Sequence, residues 1–184
     1  MKKTMMITVT MLMMSLAVMA QDGPKRYGIK SATAKMVTTM MGQHVESTSY
    51  FDDYGALEAS LTSASGIEVV TLRRDGKTYM INKTARQMQE IPTEDTVNYL
   101  DLNDEIVAKY KIKEVGKESI LDKECIIYEL TVSQMGQTVK STVSVWEGVV
   151  MKSITNAAGM SVTVAVTDFS EGPVDESVFI LPQF

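Results

Sequence analysis

Apolar and polar residues alternate along most of this chain, and turn-forming residues interrupt the alternation about every ten positions. A period of two buries one side of a strand and wets the other, which specifies an antiparallel sheet rather than helices. Residues 67–72 are rich in β-branched side chains, Asp75-Gly76 supplies a tight hairpin turn that accepts positive φ, and residues 78–82 return. Residues 125–132 place Ile126, Tyr128, Leu130 and Val132 on one side, and residues 160–167 do the same with Met160, Val162, Val164 and Val166. Between them, residues 140–154 form a hairpin around Glu147-Gly148, with the single Trp146 beside the turn. Further strands are expected on either side of turns at Met41-Gly42-Gln43, Asp52-Asp53-Tyr54-Gly55, residues 63–66, residues 83–86, residues 134–137 and residues 156–159. Pro92 stops the strand at 87–91.

Residues 93–110 break this grammar. Thr93, Glu94, Asp95 and Thr96 resemble a helix start, since acidic residues suit the positive end of a helix dipole. Val97, Leu100 and Ile106 follow at helical spacing, predicting one or two short helices. Residues 173–176 form a second helical turn before Phe179. The expected fold is mainly β with a short helical insert (α+β). It is a single antiparallel meander of about ten strands, long enough that it must curl or close. Its apolar face needs a cover, and the candidates are residues 93–110, the C-terminal tail and a bound ligand.

The N-terminus is set apart. Lys2 and Lys3 precede an apolar run from Met5 to Val18, and seven of the fifteen Met fall in residues 1–19. Val18-Met19-Ala20 suits cleavage, so residues 1–20 read as a secretory signal peptide and residues 21–184 as one domain. The apolar run is shorter than the roughly 20 residues a membrane span needs, and no Cys follows it to take a lipid anchor. Cleavage leaves 164 residues with 16 basic and 23 acidic side chains, so the formal charge falls from −5 to −7. Such a charge disfavours nucleic acid and anionic membrane. With Cys125 the only cysteine, no intramolecular disulfide is possible and packing alone holds the domain. The expected product is exported, periplasmic or secreted, with no membrane span.

Several segments together resemble a known family. Residues 75–82 (DGKTYMIN) look like its dG-x-x-Y-x-i hairpin, which precedes a helical insert. Residues 121–128 (LDKECIIY) look like its i-x-G-x-x-C-x-x-Y strand, with Asp122 or Lys123 where the glycine falls. Residues 145–152 (VWEGVVMK) and 178–182 (VFILP) look like its v-W-x-x-g hairpin and s-x-F-x-l-P terminus. In this order they are similar to the LolA/LolB-like periplasmic lipoprotein carriers, and more closely to a group of uncharacterised exported bacterial domains related to them. The resemblance implies an antiparallel half-barrel wrapped over helices, with a hydrophobic cavity between that takes lipoprotein acyl chains.

A cavity of that kind would draw on the apolar face: Tyr50, Met80, Tyr128, Leu130, Val143, Val145, Met151, Val162 and Val164. The same residues would equally build an ordinary core. Burial stabilises by about 25 cal/mol per Å2 against protein or acyl chain alike, so an unfilled volume of several hundred Å3 decides between them. Met36, Met40, Met41 and His44 form a second cluster. Thioether and imidazole suit copper, whereas flexible Met also fills irregular gaps. Met36 and Met40 share strand parity; Met41 and His44 do not share it with each other. His44 is the only histidine, and neither G-x-S-x-G nor HExxH occurs. Cys125 reads as a buried thiol. The chain is therefore expected to be a non-enzymatic binding protein with no cofactor. It would carry or sense a lipid or lipoprotein acyl chain. The alternatives are a structural or interaction domain with a filled core and an envelope-protein partner, or copper binding at the Met/His cluster. Export should release a product beginning at Gln21, read by intact mass and N-terminal sequencing; a secreted product retaining residues 1–20 would contradict the cleavage assignment.

Overall fold

A computed structural model describes residues 25–93, 97–134, 137–157 and 159–184, with the side chains of 132–138 and 157 outside the description. Residues 1–20, expected to be a signal peptide, and lead-in residues 21–24 lie outside the described residues, as do Glu94, Asp95 and Thr96 and parts of the turns at 134–137 and 156–159. The first run of strands is β1 (Ala32–Met40), β2 (Gln43–Asp52), β3 (Leu57–Ala64), β4 (Ile67–Arg74), β5 (Lys77–Asn82) and β6 (Gln87–Ile91). After helix α1 (Asp104–Tyr110) come β7 (Lys113–Ile120), β8 (Lys123–Gln134), β9 (Gln137–Trp146), β10 (Val149–Ala157) and β11 (Met160–Glu171). All eleven form one antiparallel sheet in the order β6-β5-β4-β3-β2-β1-β11-β10-β9-β8-β7. It curls as a half-barrel and does not close: β6 and β7 are its edges. The meander runs outward from the middle in both directions, and the pairing of β1 with β11 joins the two runs.

Two-residue turns set the registers. Met41-Gly42, Ser65-Gly66, Asp75-Gly76 and Glu147-Gly148 all have positive φ at both positions, the geometry that matches strand twist. Leu121-Asp122 does the same without glycine, at φ 49° and 62°. Glycine would relax the second position, but Asp122 tolerates this region better than most side chains. Bulges interrupt β1–β11 at Lys35/Met36, β9–β10 at Val150/Lys152 and β7–β8 at Glu114/Gly116. Each raises the local twist and helps the sheet to curl.

The helical insert is shorter than the spacing predicts and starts later. Its N-cap is Asn103, whose side chain accepts from the Ile106 amide at 2.9 Å. Asp104 and Glu105 occupy the first turn, and Lys111 ends the helix in the left-handed region. Residues 97–103 are not helical: Asn103 offers the capping oxygen that Val97 and Leu100 cannot.

Cover is supplied on two different faces. Val97, Tyr99, Leu102, Ile106, Val107 and Tyr110 pack on Leu130, Val143 and Val145 of β8 and β9. By register this face continues through Val164 and Thr38 to Ala34, Ser49, Ser60 and Thr71 of the first run. There, however, the apolar residues point the other way. Tyr50, Ala59, Leu72 and Tyr79 share the opposite face, as do Leu61, Val70 and Ile81. The tail covers them with Val174, Val178, Phe179 and Leu181, pinned where Arg74 Nη1 donates to the Phe179 carbonyl at 2.8 Å. The greasy face thus changes side between the two halves of one sheet.

The lead-in segment ties the halves together. Gly28 N donates to Glu147 O at 2.8 Å, Arg26 N donates to Tyr54 O at 2.9 Å, and Tyr27 and Ile29 join the core around Phe51, Met151 and Val166. Gly148, at φ 78°, lies against this segment: a Cβ there would collide with the Arg26 carbonyl and sit 3.0 Å from Leu100 Cγ. Gly42 has similar φ and open space around it. Gly42→Ala should cost about 1 kcal/mol of backbone strain, and Gly148→Ala about 1–3 kcal/mol more from the displaced lead-in. Urea denaturation of the two variants checks the difference; equal loss would mean that the lead-in does not press on the β9–β10 turn.

Candidate functional site

The tail leaves one face of the first run uncovered, and the alternation there is polar. Successive cross-strand rows carry Ser49, Ser60 and Thr71, then Phe51, Glu58, Arg73 and Thr78. The lead-in crosses one end of this face with Arg26 and Tyr27, and Ile91, Pro92 and Thr93 border it at the sheet edge. Together they line a half-open cavity of about 550 Å3. That lies within the range of roughly 300–1,000 Å3 typical of small-molecule sites.

One end of the cavity is an ordered polar network. Glu58 accepts from Arg26 Nη1 at 3.0 Å and from the Tyr27 hydroxyl at 2.7 Å, and the two charged side chains are mostly buried. The Tyr27 ring packs at a tilt on Phe51 with centroids 4.3 Å apart. At the other end Thr78 and Thr93 hydroxyls are 3.1 Å apart, which anchors the segment after β6.

The residues singled out in the sequence are dispersed. Tyr128, Leu130, Val143 and Val145 are under α1 and its flanks, where Tyr99 stacks on Tyr128 at 5.6 Å. Met151 is fully buried in the central cluster. Val162 and Val164 are half-buried on β11, on the same face as Thr38 and Met40. Met80 is exposed beside Thr71, on the polar face. Of the nine, Tyr50 borders the cavity. In the Met/His cluster, register puts Met36 and Met40 on one face of the β1–β2 hairpin and His44 on the other, while Met41 occupies the turn. His44 Nδ1 is 2.9 Å from the Thr39 hydroxyl. Among the described residues, no group of three or more His, Cys, Asp and Glu could hold a metal ion.

Sequence reading missed the polar face because Ser, Thr and single charges on strands look like a solvated exterior. The usable signal was parity: Ser49, Ser60 and Thr71 fall on the side away from Tyr50, Ala59 and Leu72. A second polar group was also missed. Ser144, buried on β9, donates to Glu118 Oε1 at 2.5 Å, and Lys152 Nζ lies 3.2 Å from both carboxylate oxygens. The Ser144 hydrogen bond, more than Lys152, holds the Glu118 carboxyl below its usual range, against the opposing effect of burial. Ser144 and Lys152 share Glu118 as acceptor, so no free base faces the hydroxyl. Cys125 is buried, and burial, with Glu118 nearby, pushes its thiol up.

The fold is a LolA-like half-barrel, an open curled sheet with a groove along it. Among solved structures, the chain is similar to MucB in the MucA/MucB complex of Pseudomonas aeruginosa: TM-score 0.59, 17% identity, covering 86% of this chain and 60% of that chain. A structure of MucB alone gives TM-score 0.56 at 14% identity, covering 84% and 58%. An uncharacterised conserved protein of Thermus thermophilus gives TM-score 0.57 at 9% identity, covering 84% and 86%. At these identities the likeness is one of fold, and this chain spans less than two thirds of the MucB chains it matches. No known protein family and no curated protein matches the sequence. Among the described residues, no helix is long and apolar enough to cross a membrane.

The network at the lead-in has a pH signature. Burial, with Glu58 adding to it and Arg26 opposing it, holds the Tyr27 hydroxyl well above the ordinary phenol value of 10.0. Burial and the neighbouring Tyr128 push Tyr99 up to about 12. The folded protein therefore keeps both protons more tightly than the unfolded chain does. Their stabilisation is complete below pH about 10 and is lost as pH rises above it. Stability from urea titrations should fall between about pH 10 and about pH 12, and Tyr27→Phe should flatten that limb while costing about 1 kcal/mol at neutral pH. An alkaline slope unchanged by Tyr27→Phe would place the titration elsewhere.

Proposed function

We propose that this is an exported, non-enzymatic binding protein that carries or senses a lipid or lipoprotein acyl chain. One observation carries the reading. The sheet face that neither tail nor helix covers lines a half-open cavity of about 550 Å3 that the described residues leave unfilled. Tyr27, Phe51, Ile91 and Pro92 offer apolar surface to a chain, and the hydroxyls of Ser49, Ser60 and Thr71 offer polar contacts to a head group. The bound segment lies in the first run of the sheet, not beneath α1, where the apolar residues pack on one another. The leader at residues 1–20 and the shared fold with MucB support an envelope location.

A second reading is a protein partner. MucB was solved in complex with MucA, and the edge strand β6, exposed along Gln87, Met88, Gln89 and Glu90, offers unpaired backbone for an added strand. Organic extraction of the exported protein followed by mass spectrometry should recover a lipid. Monoolein, a neutral acyl probe, should bind the extracted protein and fail to bind Ser49→Trp, which fills the cavity. Repeatedly empty extracts with no monoolein or oleate binding would overturn the carrier reading and leave the protein-partner one.

A further inference from the structure

Arg73 and Arg74 are adjacent on β4 and point to opposite faces, and their circumstances differ. Arg74 is committed: it donates to the Phe179 carbonyl and pairs with Asp75 at 2.9 Å. Arg73 is half-buried in the cavity wall. Its cross-strand partner by register is Glu58, the nearest candidate counter-ion on the sheet. But Glu58 is already engaged by Arg26 and Tyr27, and among the described residues the Arg73 guanidinium has neither ion pair nor hydrogen bond. With Arg26 paired to Glu58, Arg73 is the positive charge that the described lining residues leave without a counter-ion, in a chain whose formal charge is −5.

Hydroxyls surround that charge. Thr78 is directly opposite Arg73, and Thr71 precedes it by two on the same face, with Ser60 opposite Thr71. Direct cross-strand neighbours have Cβ atoms about 4.5–5.5 Å apart, and positions i and i+2 are about 7 Å apart along a strand. One oxyanion can therefore reach the guanidinium and two hydroxyls together. Among the described residues, the Ser60 and Thr71 hydroxyls have no protein partner. A partly desolvated guanidinium beside unengaged hydroxyl donors is complementary to carboxylate or phosphate oxygens, which accept its planar pair of N–H groups.

We propose that Arg73, with Thr71, Thr78 and Ser60, is an anion-recognition site inside the cavity. It takes the carboxylate or phosphate of the bound molecule while the aromatic side chains hold the apolar part. The inference rests on the cavity reading above and adds the charge of the head group. Calorimetry with four probes tests it: oleate, monoolein, lysophosphatidate and inorganic phosphate, the lipids kept below their aggregation thresholds. The protein should prefer oleate and lysophosphatidate over monoolein by about tenfold or more, the effect of one charge-assisted hydrogen bond. Arg73→Gln should abolish the preference, Arg73→Lys should keep part of it, and about 0.5 M salt should weaken it in the parent protein.

Arg73-dependent binding of inorganic phosphate, with no lipid bound, would support the anion site and assign it to a soluble anion, against the acyl-chain reading. Equal affinity for oleate and monoolein, or a preference that survives Arg73→Gln, would overturn the anion site and leave the acyl cavity standing. Failure of all four probes to bind would overturn both. If Arg73→Gln does not fold, the probe preference of the parent protein and its response to salt decide.

Discussion

The pairing of β1 with β11 is the constraint on which the rest of this molecule depends. Each half of the chain is a meander that could form with local turns alone. Only this pairing, between strands more than a hundred positions apart, makes one sheet of them. It closes the longest loop in the protein, and the entropy of doing so rises only slowly with length, so nine residues of ladder suffice. The bulge at Lys35/Met36 is in that ladder, where extra twist has the greatest effect on the angle between the halves. The lead-in follows directly from it. Because β1 is central, residues 26–29 leave the middle of the sheet and reach Tyr54 and the Glu147-Gly148 turn with three backbone hydrogen bonds.

The second constraint is scarcity of cover. Outside the sheet the described residues offer little more than α1 with its flanks, the lead-in and a short tail, and each blankets a limited area. The sequence resolves this by reversing parity between the halves. In β8 and β9 the apolar residues face the helix; in β2 to β5 they face the tail, on the other side of the same sheet. Two thin covers on opposite faces stabilise both halves, and each leaves its reverse side to solvent. On the second half that reverse side carries charges such as Glu129 and Lys113. On the first half it is the inner face of the curl, so what would be plain exterior becomes the wall of a cavity. The groove is thus a consequence of how the core is arranged.

Much of the fold could be read from the residues. Asp75-Gly76 and Glu147-Gly148 announce two-residue hairpins, and Pro92 ends β6, because these are local backbone preferences that tertiary context seldom overrides. Two things could not. The helix start depends on whether Asn103 or the Thr93 region caps it, and both segments carry suitable side chains. The site depends on which parity faces inward in each half, and alternation reports that a strand has two faces without saying which is inner. Tyr50 and Tyr128 have equal claims by periodicity, yet register puts them on opposite sides. Pooling the apolar residues into one face therefore merged two cores, and the Ser and Thr positions that border the cavity passed as surface.

The same logic explains why the polar wall keeps its charges ordered. Of the three charged side chains among the described residues lining the cavity, Arg26 and Glu58 pair close to the lead-in, held by Tyr27, whose hydroxyl donates to Glu58. A buried pair of this kind contributes little to stability beyond what an apolar pair of similar shape would. It does fix where the lead-in crosses the groove, because Arg26 and Tyr27 can satisfy Glu58 only from one side. Fixing that crossing sets the length of the cavity. It also takes the carboxylate that Arg73 would otherwise engage, so positional order at one end and an available cation in the middle arise from the same three residues.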